Sequence, residues 1–320
     1  ENVLITNGSQ QALELVFRSL LEPGDPVVLE DPTFAGALSA LGSLDARLVG
    51  VPMDDAGIRA DLLALALERH RPKLVYLQPT FQNPTTRVMA AERRREVLSL
   101  AERHDCVIVE DDWAGDLRLD GRDLPTLHAM DGGRRVIYVS TFSKKLMPGL
   151  RVGWVTAPPA VQQRLAALKQ IEDCGTSPLL QEALHRFLRE GGLERHLSTV
   201  RAAYRERRDS MLTAIERYFP EDVRVSRPRG GLFVWATLPA GLDANEIFLA
   251  ARHRGVLISP GELFHIDGSG RDSLRLTFAA VGPDGIVRGI ETLGKLMRET
   301  RTEGPPEVSD DRSVEAMPIV

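Results

Sequence analysis

The sequence predicts an α/β fold with a mostly parallel sheet, followed by a smaller α/β unit. Three observations carry that prediction. Short β-branched runs recur through the first half of the chain, helix-like stretches separate several of them, and from about Gly191 the texture changes to one long amphipathic helix with further strands behind it. Strands that alternate with helices pair mainly in parallel, with helices over both faces of the sheet. A chain of 320 residues suffices for one large domain and a smaller one.

The elements follow in order. The strand runs are NVLIT from Asn2, PVVLED from Pro26, ARLVGVPM from Ala46, KLVYLQP from Lys73, CVIVED from Cys106, RVIYVS from Arg135 and RVGWVTAP from Arg151. SQQALELVFRSLL from Ser9 places Leu13, Val16, Phe17 and Leu20 on one helical face, and MAAERRREVLSLAERH from Met89 reads as a second helix. GGLERHLSTVRAAYRERRDSMLTAIERYF reads as a long helix with a basic solvent side. GGLFVWATLP, GVLISPG and SLRLTFAA are the strands of the smaller unit. The boundaries expected are a large domain over 1–190, a linking helix and small domain over 191–302, and a disordered acidic tail over 303–320, where proline and acidic residues replace apolar ones. The chain opens on a strand at Glu1, which is read as the loss of an N-terminal portion.

Composition narrows the function. Hydrophobic residues are 43% and charged residues 27%, as in a globular protein. A net charge of −5 argues against a broad nucleic-acid footprint in this chain. Two cysteines give neither a disulfide framework nor a metal-ligand spacing, so no metal is expected. No run approaches a membrane span and no signal peptide is visible, and the location expected is cytoplasmic.

Parallel sheets place ligands at the carboxyl ends of their strands. The unusual residues fall there: Gly8-Ser9-Gln10, Asp31-Pro32, Asn83-Pro84, Asp111-Asp112 and Thr141 to Lys145 each follow a strand. Each has a bland reading. Gly8-Ser9-Gln10 is either a helix start with Ser9 as its cap or an anion site at a helix N-terminus. Asn83 is a turn residue or a ligand donor. Arg275 alternates with apolar neighbours and, taken alone, reads as an exposed strand face. Gly230 and Gly231 read as a bend before a strand. A buried strand-end carboxylate such as Asp111 or Asp112 either caps the next element or serves chemistry, because an unpaired buried charge is costly. No dinucleotide fingerprint or Walker motif is present.

Taken in order, these residues supply an anion site, an acid, an amide, a lysine and an arginine, the set that pyridoxal phosphate chemistry needs. The motifs TNGSQQAL, EDPTF, QPTFQNPTT, VIVEDDW, STFSKKLMPGLRVGW and LRLTFA resemble those of fold-type I, class I/II pyridoxal-phosphate-dependent aminotransferases. The chain is especially similar to the kynurenine and 2-aminoadipate aminotransferase branch and to the aminotransferase-like domains of MocR-type regulators, from about Asn2 to about Met297. The resemblance implies that Lys144 forms the Schiff base with pyridoxal 5'-phosphate. It implies that Arg151, with Gly8, Ser9, Gln10, Thr141 and Ser143, holds the phosphate, that Phe34 stacks on the cofactor, and that Asn83 bonds its ring oxygen. Asp111 would face the ring nitrogen and Arg275, with Asn83, would bind the substrate α-carboxylate. Lys145 is then a surface lysine. Trp113 stands where the family commonly has a tyrosine donor, so a weaker contact to the ring oxygen is expected there. The function implied is transamination between an amino acid and a 2-oxo acid in a homodimer. The alternatives are the effector-sensing domain of a MocR-type regulator, with a DNA-binding domain upstream, or another pyridoxal reaction.

Overall fold

The computed structural model describes residues 2–303. Its first part is an eight-stranded sheet: β1 (Val3–Thr6), β2 (Pro26–Asp31), β3 (Arg47–Asp54), β4 (Gly57–Ile58), β5 (Leu74–Leu77), β6 (Val107–Asp112), β7 (Val136–Thr141) and β8 (Gly153–Thr156). Helices α1 (Ser9–Leu20), α2 (Ala35–Gly42), α3 (Ala60–His70), α4 (Ala91–Arg103), α5 (Leu127–Asp131), α6 (Pro159–Asp173) and α7 (Pro178–Arg189) lie between and after the strands. All seven runs read as strands are strands; the two-residue β4 was not anticipated.

The sheet order is β1-β8-β7-β6-β5-β2-β3-β4. The five strands from β7 to β3 run parallel. β8 departs from the parallel expectation and is antiparallel to both β7 and β1. The reason is the connection. A parallel return needs a crossover, usually a helix, and the segment 142–152 carries only the short 3-10 turn Pro148–Leu150. The strands alternate as buried strands must. Val27, Leu29, Tyr76, Val109 and Val139 pack under α1, α2 and α6, whereas Val28, Val75, Leu77, Ile108 and Val136 pack under α3, α4 and α5.

The second part opens with α8 (Gly192–Tyr218) and contains β9 (Arg224–Val225), β10 (Phe233–Thr237), α9 (Ala244–His253), β11 (Ser259–Pro260), β12 (Ser273–Thr277) and α10 (Pro283–Glu303). Its sheet, β11-β12-β10-β9, is wholly antiparallel. Met211, Ile215, Val234, Leu276, Ile290 and Leu293 form its core with the helices. The basic side of α8 is not simply solvated as expected. Arg201 donates to Asp116 O at 2.8 Å, Arg208 pairs with Asp120, and Arg207 donates to Ala279 O at 2.8 Å. The helix thus clamps the segment that follows β6. The expected tail began at 303, but Glu303 ends α10, and residues 304–320 lie outside the described residues. Among the described residues no helix is long and apolar enough to cross a membrane.

Candidate active site

Sheet register assembles the site. Gly153 pairs with both Thr6 and Thr141, and Ser140 pairs with Asp112. The residues after β1, β6 and β7, and those just before β8, therefore emerge along one edge of the sheet. A cavity of about 500 Å³ opens there, lined by Ser9, Gln10, Phe34, Asn83, Asp111, Trp113, Thr141, Ser143, Lys144, Arg151 and Arg275. Those are all the expected site residues except Gly8, which stands directly behind the guanidinium of Arg151; a Cβ there would overlap it.

One end of the cavity is cationic. Gly8 rather than Ser9 is the N-cap of α1, and among the described residues no side chain caps that helix. The first N–H groups of a helix have no intrahelical acceptor, so they are left for an anion, and the cap reading of Ser9 fails. Arg151 donates to Asn7 O at 2.9 Å and to Ser143 Oγ at 3.3 Å, and Thr141 Oγ1 donates to Ser143 Oγ at 3.0 Å. These bonds gather a guanidinium, two hydroxyls and a helix N-terminus, the donor set of a phosphate cradle. Lys144 lies beside them. Burial first, then the nearby charges of Arg275 and Arg151, lower its pKa and favour the neutral amine.

The other end is acidic and enclosed. Asp111 Oδ2 accepts from Tyr76 Oη at 2.7 Å and from Gln78 Nε2 at 2.8 Å. Its Oδ1 is buried and, among the described residues, has no partner. Burial pushes this carboxyl up to about 6, against the two hydrogen bonds that pull it down. A buried orphan acceptor calls for a donor, and a protonated ring nitrogen in the cavity would supply one. Asp112 turns away, accepting from Tyr138 Oη at 2.7 Å.

The third wall comes from the smaller sheet. Arg275 is only 9% exposed, so the exposed-strand reading is wrong. Its guanidinium lies 4.1 Å from the Phe233 ring centre and 4.8 Å from that of Phe264. It donates to Asn83 Oδ1 at 2.9 Å and to Ser259 Oγ at 3.2 Å. Among the described residues it makes no ion pair, and burial lowers its pKa to about 10. A buried cation without a counterion is a receptor for one. Asn83 is accordingly no mere turn residue. Gly230 and Gly231 do make the bend before β10, with Gly231 at φ +71° and Gly230 pressed on the Phe81 ring.

Two expectations fail. Lys145 is not a surface lysine: it is 3% exposed, paired with Asp116, and 5.0 Å from the Trp154 ring centre. Trp113 lines the cavity, but its Nε1 donates to Phe81 O at 3.1 Å and its ring stacks on Phe233. Its single N–H is spent, so it offers a packing face in place of a donor. Sequence reading also missed Gln78, Tyr76, Phe233 and Ser259. Gln78 had a usable signal, as an amide at the end of the apolar run KLVYLQP.

A family model described as aminotransferase class I and II matches residues 1–293. The 2-aminoadipate transaminase of Thermus thermophilus is 41% identical, with 93% of this chain and 76% of that protein covered. A crystal structure of Pyrococcus horikoshii kynurenine aminotransferase in complex with PMP superposes with a TM-score of 0.90 at 39% identity, covering 93% of this chain and 75% of that one. An uncharacterized HTH-type transcriptional regulator of Bacillus subtilis, YisV, is 37% identical over 92% of this chain and 61% of its own length.

Proposed function

The chain belongs to the class I and II aminotransferases, enzymes that use pyridoxal phosphate to move an amino group between an amino acid and a 2-oxo acid, and on that premise we propose the roles of its residues. Lys144 is the nucleophile and proton carrier, Asp111 the partner of the cofactor's ring nitrogen, and Arg275 the grip on the substrate α-carboxylate. The observation that carries this reading is the polarity of the cavity. Arg151 and the α1 N-terminus stand at one end, and the unpartnered Oδ1 of Asp111 at the other. That arrangement suits a ligand with a phosphate at one end and a protonated ring nitrogen at the other. When bound, pyridoxal phosphate supplies the electron sink for charge developing at the substrate Cα and carries the amino group between half-reactions.

The residues do the rest. Burial and the charges of Arg275 and Arg151 lower the pKa of Lys144 and so favour the neutral Nζ, the form able to take the Cα proton and to return one. Asp111 holds a proton on the ring nitrogen by its negative charge. Arg275 presents two nitrogens in a fixed fork, which suits a planar carboxylate. Asn83, held by Arg275, would donate to the ring oxygen, and Phe34 and Trp113 would exclude water beside the ring. Gly8, Ser9, Gln10, Thr141 and Ser143 complete the phosphate cradle with Arg151. A homodimer, a cytoplasmic location and a division near residue 190 into cofactor-binding and smaller domains belong to the same reading.

The effector-sensing alternative uses the same cavity, and the spent N–H of Trp113 is what favours it, because one expected donor is missing. Single-turnover absorbance of the pyridoxal-phosphate-loaded protein, mixed with a panel of amino acids, separates the two. A transaminase converts the cofactor to its aminated form with at least one amino acid, and a 2-oxo acid reverses the change. Binding of amino acids with no conversion would sink the transaminase reading in favour of sensing.

A further inference from the structure

A hydrogen-bonded chain of four polar residues lines the cavity, Asp111, Gln78, Asn83 and Arg275, with Asn83 entering it through both its backbone N–H and its side-chain oxygen. Gln78 Nε2 donates to Asp111 Oδ2 at 2.8 Å, Gln78 Oε1 accepts from Asn83 N at 3.0 Å, and Asn83 Oδ1 accepts from Arg275 Nη1 at 2.9 Å. Gln78 itself is anchored through its backbone N–H, which donates to Glu30 Oε2 at 3.0 Å. Glu30 is fully buried, and burial lifts its pKa to about 7.

The amide of Gln78 has one workable orientation. Its nitrogen end must face the carboxylate and its oxygen end the Asn83 N–H; the reverse would set acceptor against acceptor and donor against donor. The side chain is 1% exposed, so water does not substitute for either partner. Its position is fixed by the sheet. β5 and β6 are in register, Leu77 opposite Glu110, so Gln78 stands one step past the strand end, beside Asp111. Tyr76 also bonds Asp111 Oδ2, but of the two donors only Gln78 reaches Asn83 as well.

We propose that Gln78 is a positioning residue for transamination: it turns Asp111 so that Oδ1 faces the cavity, and ties that carboxylate to the loop that carries Asn83, which in turn holds Arg275 of β12. This rests on the roles given above to Asp111 and Arg275. The acid at the ring nitrogen and the arginine at the substrate carboxylate come from different sheets, and Gln78 with Asn83, through its backbone N–H and its side chain, is the hydrogen-bonded path that sets one against the other.

Three variants test this: Gln78→Leu, Gln78→Glu and Asp111→Asn, each compared with the parent for pyridoxal phosphate affinity, the absorbance of the bound cofactor against pH, and the single-turnover rate. Losing a hydrogen bond to a charged group weakens an interaction about tenfold to a hundredfold, and that is the rate loss expected for Gln78→Leu, with a displaced pH midpoint of the bound-cofactor spectrum. Gln78→Glu keeps the acceptor for Asn83. Protonated, it also supplies the donor to Asp111; ionised, it sets a second carboxylate there. Its rate and cofactor affinity should therefore approach the parent's near pH 6 and fall steeply toward pH 8.5. A merely structural glutamine would not give that pH-dependent rescue. If Gln78→Leu does not fold, the pH profile of Gln78→Glu decides alone. Gln78 profiles parallel to the parent's within twofold, alongside an impaired Asp111→Asn, overturn the role of Gln78 only. An Asp111→Asn protein at the parent's rate overturns the role of Asp111, and this proposal with it.

Discussion

The two ends of the cavity are built by opposite means. The cationic end sits where an antiparallel pair, β7 and β8, meets the first turn of α1, and its arginine, Arg151, is exposed. The acidic end sits at the tips of the parallel strands β5 and β6, where Asp111 is enclosed and bonded by Tyr76 and Gln78. In the proposed reading, the difference follows from what each end would hold. A phosphate brings its own charge, and helix N–H groups and hydroxyls receive it without exclusion of water. A ring nitrogen keeps its proton only against a carboxylate whose charge is not screened, so that acid must be buried. In the function proposed here, the buried, half-satisfied carboxylate of Asp111 serves this purpose.

The largest effect expected is at the cationic end. Lys144→Ala should lose transamination by at least about a thousandfold, since a nucleophile and a base vanish together, while pyridoxal phosphate still binds through the phosphate cradle. Lys145→Ala should keep the covalent link and lose only stability, a few degrees of melting temperature, through the lost pair with Asp116 and the packing on Trp154. Borohydride reduction and peptide mapping decide: label on Lys145, or on neither lysine, removes Lys144 from its role.

The acidic end comes next. Asp111→Asn should slow Cα proton removal about a hundredfold, the scale of a lost electrostatic contact in the transition state, with a smaller effect on cofactor affinity. Measured single-turnover rates equal to the parent's would leave the contrast between the two ends without chemical meaning.

Arg275 belongs to neither end and sharpens the comparison. Arg275→Lys should weaken amino acids about tenfold and simple amines hardly at all, because lysine has no fork. Equal weakening of both, read from substrate titrations, would make the aromatic sandwich of Phe233 and Phe264 its purpose.

The smallest effect is one of stability in the cofactor-free protein. Asp111 has its folded pKa raised to about 6, from 3.8. The stability that goes with its neutral form is complete below about 3.8 and is lost as pH rises through about 6. Asp111→Asn never acquires that buried charge. It should therefore gain on the parent by a few degrees of melting temperature between pH 4 and pH 7. A gap that stays constant with pH would show that Asp111 is not strained by burial.

Much of this molecule was legible in its sequence. Seven strands, the helices beginning at Ser9, at Ala91 and just after Gly191, the placement of Lys144, Asp111 and Asn83 at or after the ends of strands, and that of Arg151 just before the start of one follow from periodicity and from short motifs. Those signals are local: alternation of side chains, a helix start, a polar residue closing an apolar run. What the sequence alone left open depended on partners far along the chain. Lys144 and Lys145 are neighbours of one residue type, and only Asp116 and Trp154, brought in from other strands and turns, bury the second and leave the first to the cavity. Trp113 reads as a donor until Phe81 O takes its N–H, and Arg275 reads as surface until the smaller sheet is laid against Asn83. Gln78 is one polar residue in an apolar run until register sets it beside Asp111. Chain-local geometry fixes which residues reach the edge of the sheet. Which way each side chain points, and what charge it keeps, is fixed by burial and by hydrogen-bond partners, and those exist only once the chain has folded.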